Sequence, residues 1–427
     1  MHVQLAYGKH GLPLDLPDDL DVTVIEPKFE PGLADPTAAL RAALEAPIEA
    51  PPLQEFVRPD DRVGVVFSDI TRPTPNQIVL PPVLEALAYI PREQITLFNA
   101  LGTHRANTAA ELCGMLSAEI VDGYRIVQND ALDVATQVRV GQARRGHDIW
   151  LNREFVACDV KILTGFIEPH FFAGFSGGGK AVMPGMAGLR TVLQNHDAQM
   201  IAHPKATWGI TAGNPIWEEV REVARMAGRT FLVNVTLNKH KAITGVFAGE
   251  LDAAHARGCA YVQGTAMAMA PAPFDIVITT NSGYPLDLNL YQAIKGVSAA
   301  AQVVRPGGAI IVAAACWDGI PEHGLYGQLL AEADSPAALL DRIKAPGFLA
   351  QDQWQAQIQA QIQLRADVYV RSDNLTAAQI ERALLKPCAR IEETVAGLVA
   401  QMGAGVRICV LPEGPQTVPY ILDTVTR

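Results

Sequence analysis

The chain has 427 residues, 49% of them hydrophobic and only 19% charged, the composition of a well-packed globular protein rather than a disordered one. At that length one core is not enough, and two domains are expected. A formal net charge of −11 and a pI near 5.4, with no basic cluster interleaved with aromatics, exclude nucleic acid or an anionic membrane as the main partner.

Six cysteines, Cys113, Cys158, Cys259, Cys316, Cys388 and Cys409, are scattered without a CxxC pair, as in a chain kept reduced. The opening MHVQLAYGKHGLPLDLP has neither the basic nor the apolar region of a signal peptide. The most apolar stretch, AAAQVVRPGGAIIVAAACW, is interrupted by Arg305, Pro306 and two glycines, so no membrane span is expected. A cytoplasmic protein is the expectation.

In chain order, MHVQLAYG and LDVTVIEP alternate apolar and polar residues and read as a hairpin. PTAALRAALEA, beginning at Pro36, reads as a helix with proline in its first turn. RVGVVF is a short apolar strand that ends in Ser68, Asp69, Ile70, Thr71, Arg72, Pro73, Thr74 and Pro75. The helical run NQIVLPPVLEALAYI, the strand ITLFNALG and the polar trio Thr103, His104 and Arg105 follow. Strand, polar turn, helix, strand is the unit of a parallel α/β sheet. Ligands sit at the carboxyl ends of such strands, where Asp69, Arg72 and His104 fall.

The pattern recurs in DVKILTGFIEPH; LRTVLQNHDAQMIAH then has helical period, and FLVNVTLNKHKAITGVFAG reads as two strands about a turn at 238–240. Small residues and proline in AMAMAPAPF mark a hinge. Beyond it come a strand (DIVITTNSG), a loop (YPLDLN), a helix (LYQAIKGVSAAAQVV), a turn (RPGG) and a strand (AIIVAAAC). The closing RICVLPEGPQTVPYIL holds a strand-like piece assigned to the first domain. The expected fold is α/β, with two Rossmann-like domains and a ligand cleft between them. Residues 1–268, completed by 395–427, form one domain and residues 272–392 the other.

The most informative stretch is TGFIEPHFFAGFSGGGKAVMPG, residues 164–185, which sets His170 ahead of a glycine-dense loop ending in Lys180. Gly177, Gly178 and Gly179 weaken any helix or strand interior but suit a backbone that approaches a ligand closely or donates N–H groups to an anion. The plain alternative is a flexible surface loop. The flanking Phe171, Phe172, Phe175, Val182 and Met183 are too apolar for one, so the loop is expected to be buried. Residues 174–180 match the GxxxxGK spacing of a P-loop, yet Ala181 stands where the magnesium-binding hydroxyl belongs, and Glu168, Pro169 and His170 interrupt the strand before it. A nucleotide hydrolase is therefore disfavoured.

His104, His170 and His196 each stand beside a strand end or this loop. One histidine alone is more often structural. Together they read as one site, in which two can act as acid–base groups near neutral pH and a third can bind a metal. Without an HExxH or a Cys/His cluster a self-contained zinc site is disfavoured, and one protein ligand near Lys180 suggests a metal carried mostly by another group. Arg72, braced by Pro73 and Pro75, is a candidate anion binder, as are Gln292 and Lys295, which share a helix face with Tyr291 nearby.

SDITRPTP, LGTHR, EPHFFAGFSGGGKAVMPG, NHDA, LYQAIKG and DQWQAQ, in this order across nearly the whole chain, resemble the lactate racemase family, which uses a nickel-pincer nucleotide. The resemblance implies that Lys180 carries the cofactor, pyridinium-3,5-bisthiocarboxylic acid mononucleotide nickel, through a covalent thioamide link. It implies His196 as the protein ligand to nickel, the other donors being two sulfurs and a ring carbon of the cofactor. His104 and His170 match the catalytic pair. Arg72, Tyr291, Gln292 and Lys295 match positions lining the substrate and cofactor site, with Trp354 at its edge. Gly177, Gly178 and Gly179, with Asp69 and Thr71, are assigned to the cofactor phosphate.

The implied activity is a racemase or epimerase of lactate or a related 2-hydroxy acid, with that small molecule and the cofactor-producing enzymes as partners. A racemase meets both enantiomers and needs an acid–base group on each side of the substrate carbon. Two histidines supply that, one taking the hydroxyl proton from each enantiomer. The α-hydrogen leaves as hydride to the cofactor ring and returns to the other face of a transient 2-keto acid. Arg72 and Lys295 hold the carboxylate. The alternatives are an epimerase of a larger polyhydroxylated or dicarboxylic acid, and a non-catalytic pyridinium-nucleotide carrier, which has no need of two facing bases.

Overall fold

The computed structural model describes residues 1–322 and 324–421. By contact these divide into two compact units. One comprises Phe29–His196 with His203–Gly264; the other comprises Met1–Lys28, Asp197–Ala202 and the described residues from Thr265 on.

The first unit is built on a six-stranded sheet in the order Ile243–Gly249, Arg229–Leu237, Val160–Phe166, Val63–Ser68, Ile95–Ala100, Arg125–Gln128. All neighbours are parallel except the first pair, which is antiparallel. Val160–Phe166 is buried along its whole length and Val63–Ser68 up to its last residue. A strand covered on both faces needs a continuous apolar run rather than alternation, and VGVVF and VKILTGF supply it. The helices Pro36–Glu45 and Asn76–Ala86 contribute Leu40, Leu44, Val79 and Val83 to the same core as Val63, Val65 and Phe67. From Val63–Ser68 the sheet grows outward through Ile95–Ala100 and Arg125–Gln128, then continues on the opposite side with Val160–Phe166. The winding reverses between Val63–Ser68 and Val160–Phe166, the place where an open α/β sheet leaves a crevice at its carboxyl ends.

The second unit has an all-parallel sheet in the order Lys386–Pro387, Ala366–Arg371, Val304–Ala313, Phe274–Thr280, Arg407–Leu411, Asp21–Val24. Here the structure corrects three expectations. The opening hairpin joins His2–Leu5 to Leu12–Asp15, while Asp21–Val24, from LDVTVIEP, is an edge strand paired in parallel with Arg407–Leu411. Arg407–Leu411 also pairs with Phe274–Thr280, so this closing strand completes the second sheet and not the first domain; the last residues of the stretch 395–427, from 422 on, lie outside the described residues. RPGG is no turn between elements but a bulge inside Val304–Ala313, where Phe274 faces Val304 and Ile276 already faces Ala309. All six cysteines are free thiols, and among the described residues no helix is long and apolar enough to cross a membrane.

Candidate active site

The sheet of the first unit presents its polar residues where strands end. Val63–Ser68 runs into Asp69, Thr71 and Arg72, and Ile95–Ala100 runs into the turn carrying His104. Asp69 is 2% exposed, and its carboxylate accepts a hydrogen bond from His104 Nδ1 at 2.7 Å and from the Thr71 hydroxyl at 2.9 Å. Burial opposes the charge on Asp69, but the charge and hydrogen bond of His104, then Arg72 and Thr71, outweigh it and hold the carboxyl below its ordinary range. A permanent carboxylate on Nδ1 fixes the ring so that Nε2 is the nitrogen left to exchange a proton. In this structure Asp69, with Thr71 bonded to it, orients a histidine.

The next strand, Val160–Phe166, leads into the short hairpin of Pro169–His170 with Gly174–Phe175, and then into the glycine loop. That loop is buried, and its one-turn 3-10 helix, Gly178–Ala181, ends the P-loop analogy, which requires a long helix beginning at the glycines. Three expected residues surround one ring. Lys180 Nζ lies 5.5 Å from the centroid of Phe172, the His170 ring 4.6 Å and the His196 ring 4.9 Å from it. His170 Nδ1 accepts from the backbone N–H of Ala173 at 3.3 Å, which leaves Nε2 as the protonated nitrogen of the neutral ring. The turn at His104 touches the end of this loop through Gly102 N–H, which donates to Gly185 O at 3.1 Å.

His196 ends the helix Leu189–Asn195, and Asp197 then caps the following turn by accepting from Met200 N–H at 2.8 Å. The preceding Asn195 is fully buried and pins the helix end, donating to Glu219 Oε1 at 3.0 Å and to Ile216 O. Burial and, secondarily, the charge of Lys180 push the pKa of His196 down to about 3. Its imidazole is therefore neutral, the form that binds a metal. Among the described residues no group of three or more His, Cys, Asp or Glu side chains could hold a metal.

Two contributors were not foreseen. Gly178 N–H donates to Asn234 Oδ1 at 2.8 Å, and a Cβ on Gly178 would lie 2.7 Å from the ring of His255. Gly177 and Gly178 have φ of +73° and +56°. The triplet's small size thus lets Asn234 and the His255 ring pack directly against the loop backbone. Asn234 left a trace in the sequence as the lone amide of the apolar strand RTFLVNVTL; His255 left none.

The remaining expected residues belong to the second unit. The helix Leu290–Ala300 begins at Asn289, whose side chain accepts from Gln292 N–H at 3.0 Å, and it carries Tyr291, Gln292 and Lys295. Trp354 donates from Nε1 to the Tyr291 hydroxyl at 2.9 Å. Trp354 lies on Gln353–Gln363, a helix with four fully buried glutamines, of which Gln355 donates to Tyr291 O and Gln357 to Ala198 O.

Comparison with known proteins gives the family. The Lactate racemase N-terminal domain matches residues 7–209 and the Lactate racemase C-terminal domain matches residues 269–418. The chain is 37% identical over 366 residues to the lactate racemase of Lactiplantibacillus plantarum, covering 85% of this chain and 86% of that one. It is 32% identical over 419 residues to the lactate racemase of Thermoanaerobacterium thermosaccharolyticum, covering 97% and 98%. The lactate racemase apoprotein structure from the latter organism matches with a TM-score of 0.91 at 31% identity, over 98% of this chain and 100% of that one. A Thermotoga maritima protein of known structure, at TM-score 0.70 and 17% identity over 92% of this chain, shares the fold alone. The chain belongs to the lactate racemase family, and is an isomerase of the racemase type.

Proposed function

We propose that this protein racemises lactate or a related 2-hydroxy acid, with His104 and His170 as its acid–base pair and a nickel-pincer nucleotide held by Lys180 and His196. The observation that carries the reading is the gathering of Lys180, His170 and His196 around Phe172. The donor chemistry fits the group. His196 offers a neutral buried imidazole, and a metal taking only that one side chain would draw its other donors from a non-protein ligand. Lys180 offers a primary amine close to it. When bound, the group supplies an acceptor for the α-hydrogen and returns it on either face.

The chain's own residues do the rest. Asp69 keeps His104 in one tautomer and stabilises its ring when Nε2 has taken the hydroxyl proton of one enantiomer. The ring of His170, beside Phe171 and Phe172 at 4.9 and 4.6 Å, serves the mirror enantiomer; to take the proton it turns out of the 3.3 Å contact of Nδ1 with Ala173 N–H, which otherwise keeps the ring hydrogen on Nε2. Arg72 and Lys295 bind the carboxylate, with Gln292, Tyr291 and Trp354 around the substrate. The proposal includes the finer fold expectation, two Rossmann-like domains that share one ligand. It also includes dependence on cofactor-producing enzymes, acting with this chain in the cytoplasm.

The ionised Asp69 behind His104 favours catalysis over simple carriage of a nucleotide, because a carrier gains nothing from an oriented base. The test is a panel of single enantiomers of lactate and of larger 2-hydroxy acids, incubated with protein co-produced with the cofactor pathway and resolved by chiral chromatography. Conversion of lactate to a 1:1 mixture, lost in His104→Ala and His170→Ala, is expected. Conversion only of a polyhydroxylated or dicarboxylic acid would move the substrate assignment, and no conversion of any would end the racemase reading.

A further inference from the structure

Beneath the loop that carries Lys180 lies a second, buried histidine. His255, on the helix Leu251–Ala266, is 3% exposed. Its ring stacks on Trp217, with centroids 4.5 Å apart and planes at 21°. Nε2 stands 2.8 Å from the carbonyl oxygen of Ser176, an atom that only accepts, so Nε2 must carry the hydrogen. Nδ1 is then the bare nitrogen that receives the Cys259 thiol hydrogen across 3.3 Å. Both ring nitrogens are engaged, and in one tautomer.

Ser176 is itself a clasp. Its hydroxyl donates to Phe166 O at 2.9 Å and accepts from Glu168 N–H at 2.9 Å, tying the end of Val160–Phe166 to the residue before the glycines. On its other side Asn234 holds Gly178 N–H, and the bare faces of Gly177 and Gly178 lie against Asn234 and the His255 ring. The backbone of Lys180 is bonded at both ends, its N–H to Gly177 O at 3.1 Å and its carbonyl to Gly185 N–H at 3.1 Å. Any slip at Ser176 is therefore passed to the lysine within four residues.

We infer that His255 is a positioning residue for Lys180: its Nε2–H bond to the Ser176 carbonyl, with its ring filling the space below Gly178, fixes the loop so that the lysine amine stands ready for its cofactor. The inference deepens the proposed role of Lys180 and rests on it. It predicts that the hydrogen bond matters beyond the ring's bulk. His255→Phe keeps the stack on Trp217 and loses the donor; His255→Gln keeps a donor at about the Nε2 position.

The experiment has two arms. In cofactor-free protein, hydrogen exchange of the 176–183 peptide is compared with that of 95–100, with a thermal scan for global folding. In protein co-produced with the cofactor pathway, intact mass gives the fraction of chains bearing an adduct on Lys180. The expected result is exchange on the order of tenfold faster in 176–183 for His255→Phe, unchanged exchange in 95–100, a lower adduct fraction, and wild-type behaviour in His255→Gln. Wild-type exchange and loading in His255→Phe would overturn the inference, as would failure of His255→Gln alongside it. Should His255→Phe not fold, His255→Gln decides alone: wild-type exchange upholds the inference and loosened exchange overturns it. If wild type itself carries no adduct, the reading of Lys180 falls, while the exchange arm still upholds or overturns the placing of His255.

Discussion

Replacing Asp69 by asparagine tests the acid–base assignment most sharply, because the two side chains are nearly the same shape. The carboxylate is buried and bonds His104 Nδ1 at 2.7 Å. A hydrogen bond between charged partners contributes about 1.5–3 kcal/mol. The Asp69→Asn change would remove the charge that stabilises the protonated ring, and at about 1.4 kcal/mol per tenfold the rate should fall roughly 10- to 100-fold. A thermodynamic constraint sharpens the expectation. Enantiomers have equal free energy, so the equilibrium constant is unity and kcat/KM must be equal in the two directions in any variant. The loss must therefore appear equally from either enantiomer in kcat/KM, even though His104 serves only one of them. Any asymmetry belongs to kcat and KM taken separately. The assay is initial rates from each pure enantiomer by chiral chromatography, normalised to the fraction of chains carrying cofactor. An Asp69→Asn enzyme within twofold of wild type at equal occupancy would refute the role given to this pair.

Further outcomes are expected. Gly178→Ala sets a Cβ 2.7 Å from the His255 ring at a φ of +56°, and strain plus overpacking should cost about 2–4 kcal/mol in denaturant unfolding. Gly264→Ala, whose Cβ meets nothing within 4 Å and which lies in the helix Leu251–Ala266, should be neutral or stabilise by a few tenths of a kcal/mol, about half the usual helix gain so near its end. In cofactor-free protein, His255 and His196 titrate at about 4 and about 3 when folded against 6.5 unfolded, so the unfolded chain binds more protons as pH falls. Stability should drop by about 1.4 kcal/mol per pH unit for each ring from 6.5 down to about 4, and His255→Gln should remove one such contribution from urea unfolding measured across that window. Asp69 acts lower, its contribution being lost only as pH falls through a folded value below 3.8. Trp354→Phe removes the Nε1–H bond to the Tyr291 hydroxyl and should raise KM severalfold with a smaller change in kcat, read from saturation curves.

The central strands were legible because burial on both faces demands continuous apolar runs, and the polar residues that follow them were legible as strand-end residues. The partner of Asp69 was not. His104 lies on a different strand's exit, and only the pairing of Val63–Ser68 with Ile95–Ala100 brings the two side chains together. The glycine triplet signals close approach without saying what approaches. Asn234 and His255, which stand against Gly177 and Gly178, have no signal in the local sequence that names them as the neighbours. The apolar–polar alternation of DVTV suits a hairpin as well as an edge strand; its true partner, Arg407–Leu411, lies near the other end of the chain, beyond the reach of any local pattern.

The decisive measurement is intact-mass spectrometry with peptide mapping and metal analysis on protein co-produced with the cofactor pathway. An adduct confined to Lys180, with about one nickel per loaded chain, absent from Lys180→Ala and with nickel much reduced in His196→Ala, is the expected result. Wild-type protein that racemises lactate with an unmodified Lys180 and no nickel would contradict the proposed chemistry outright.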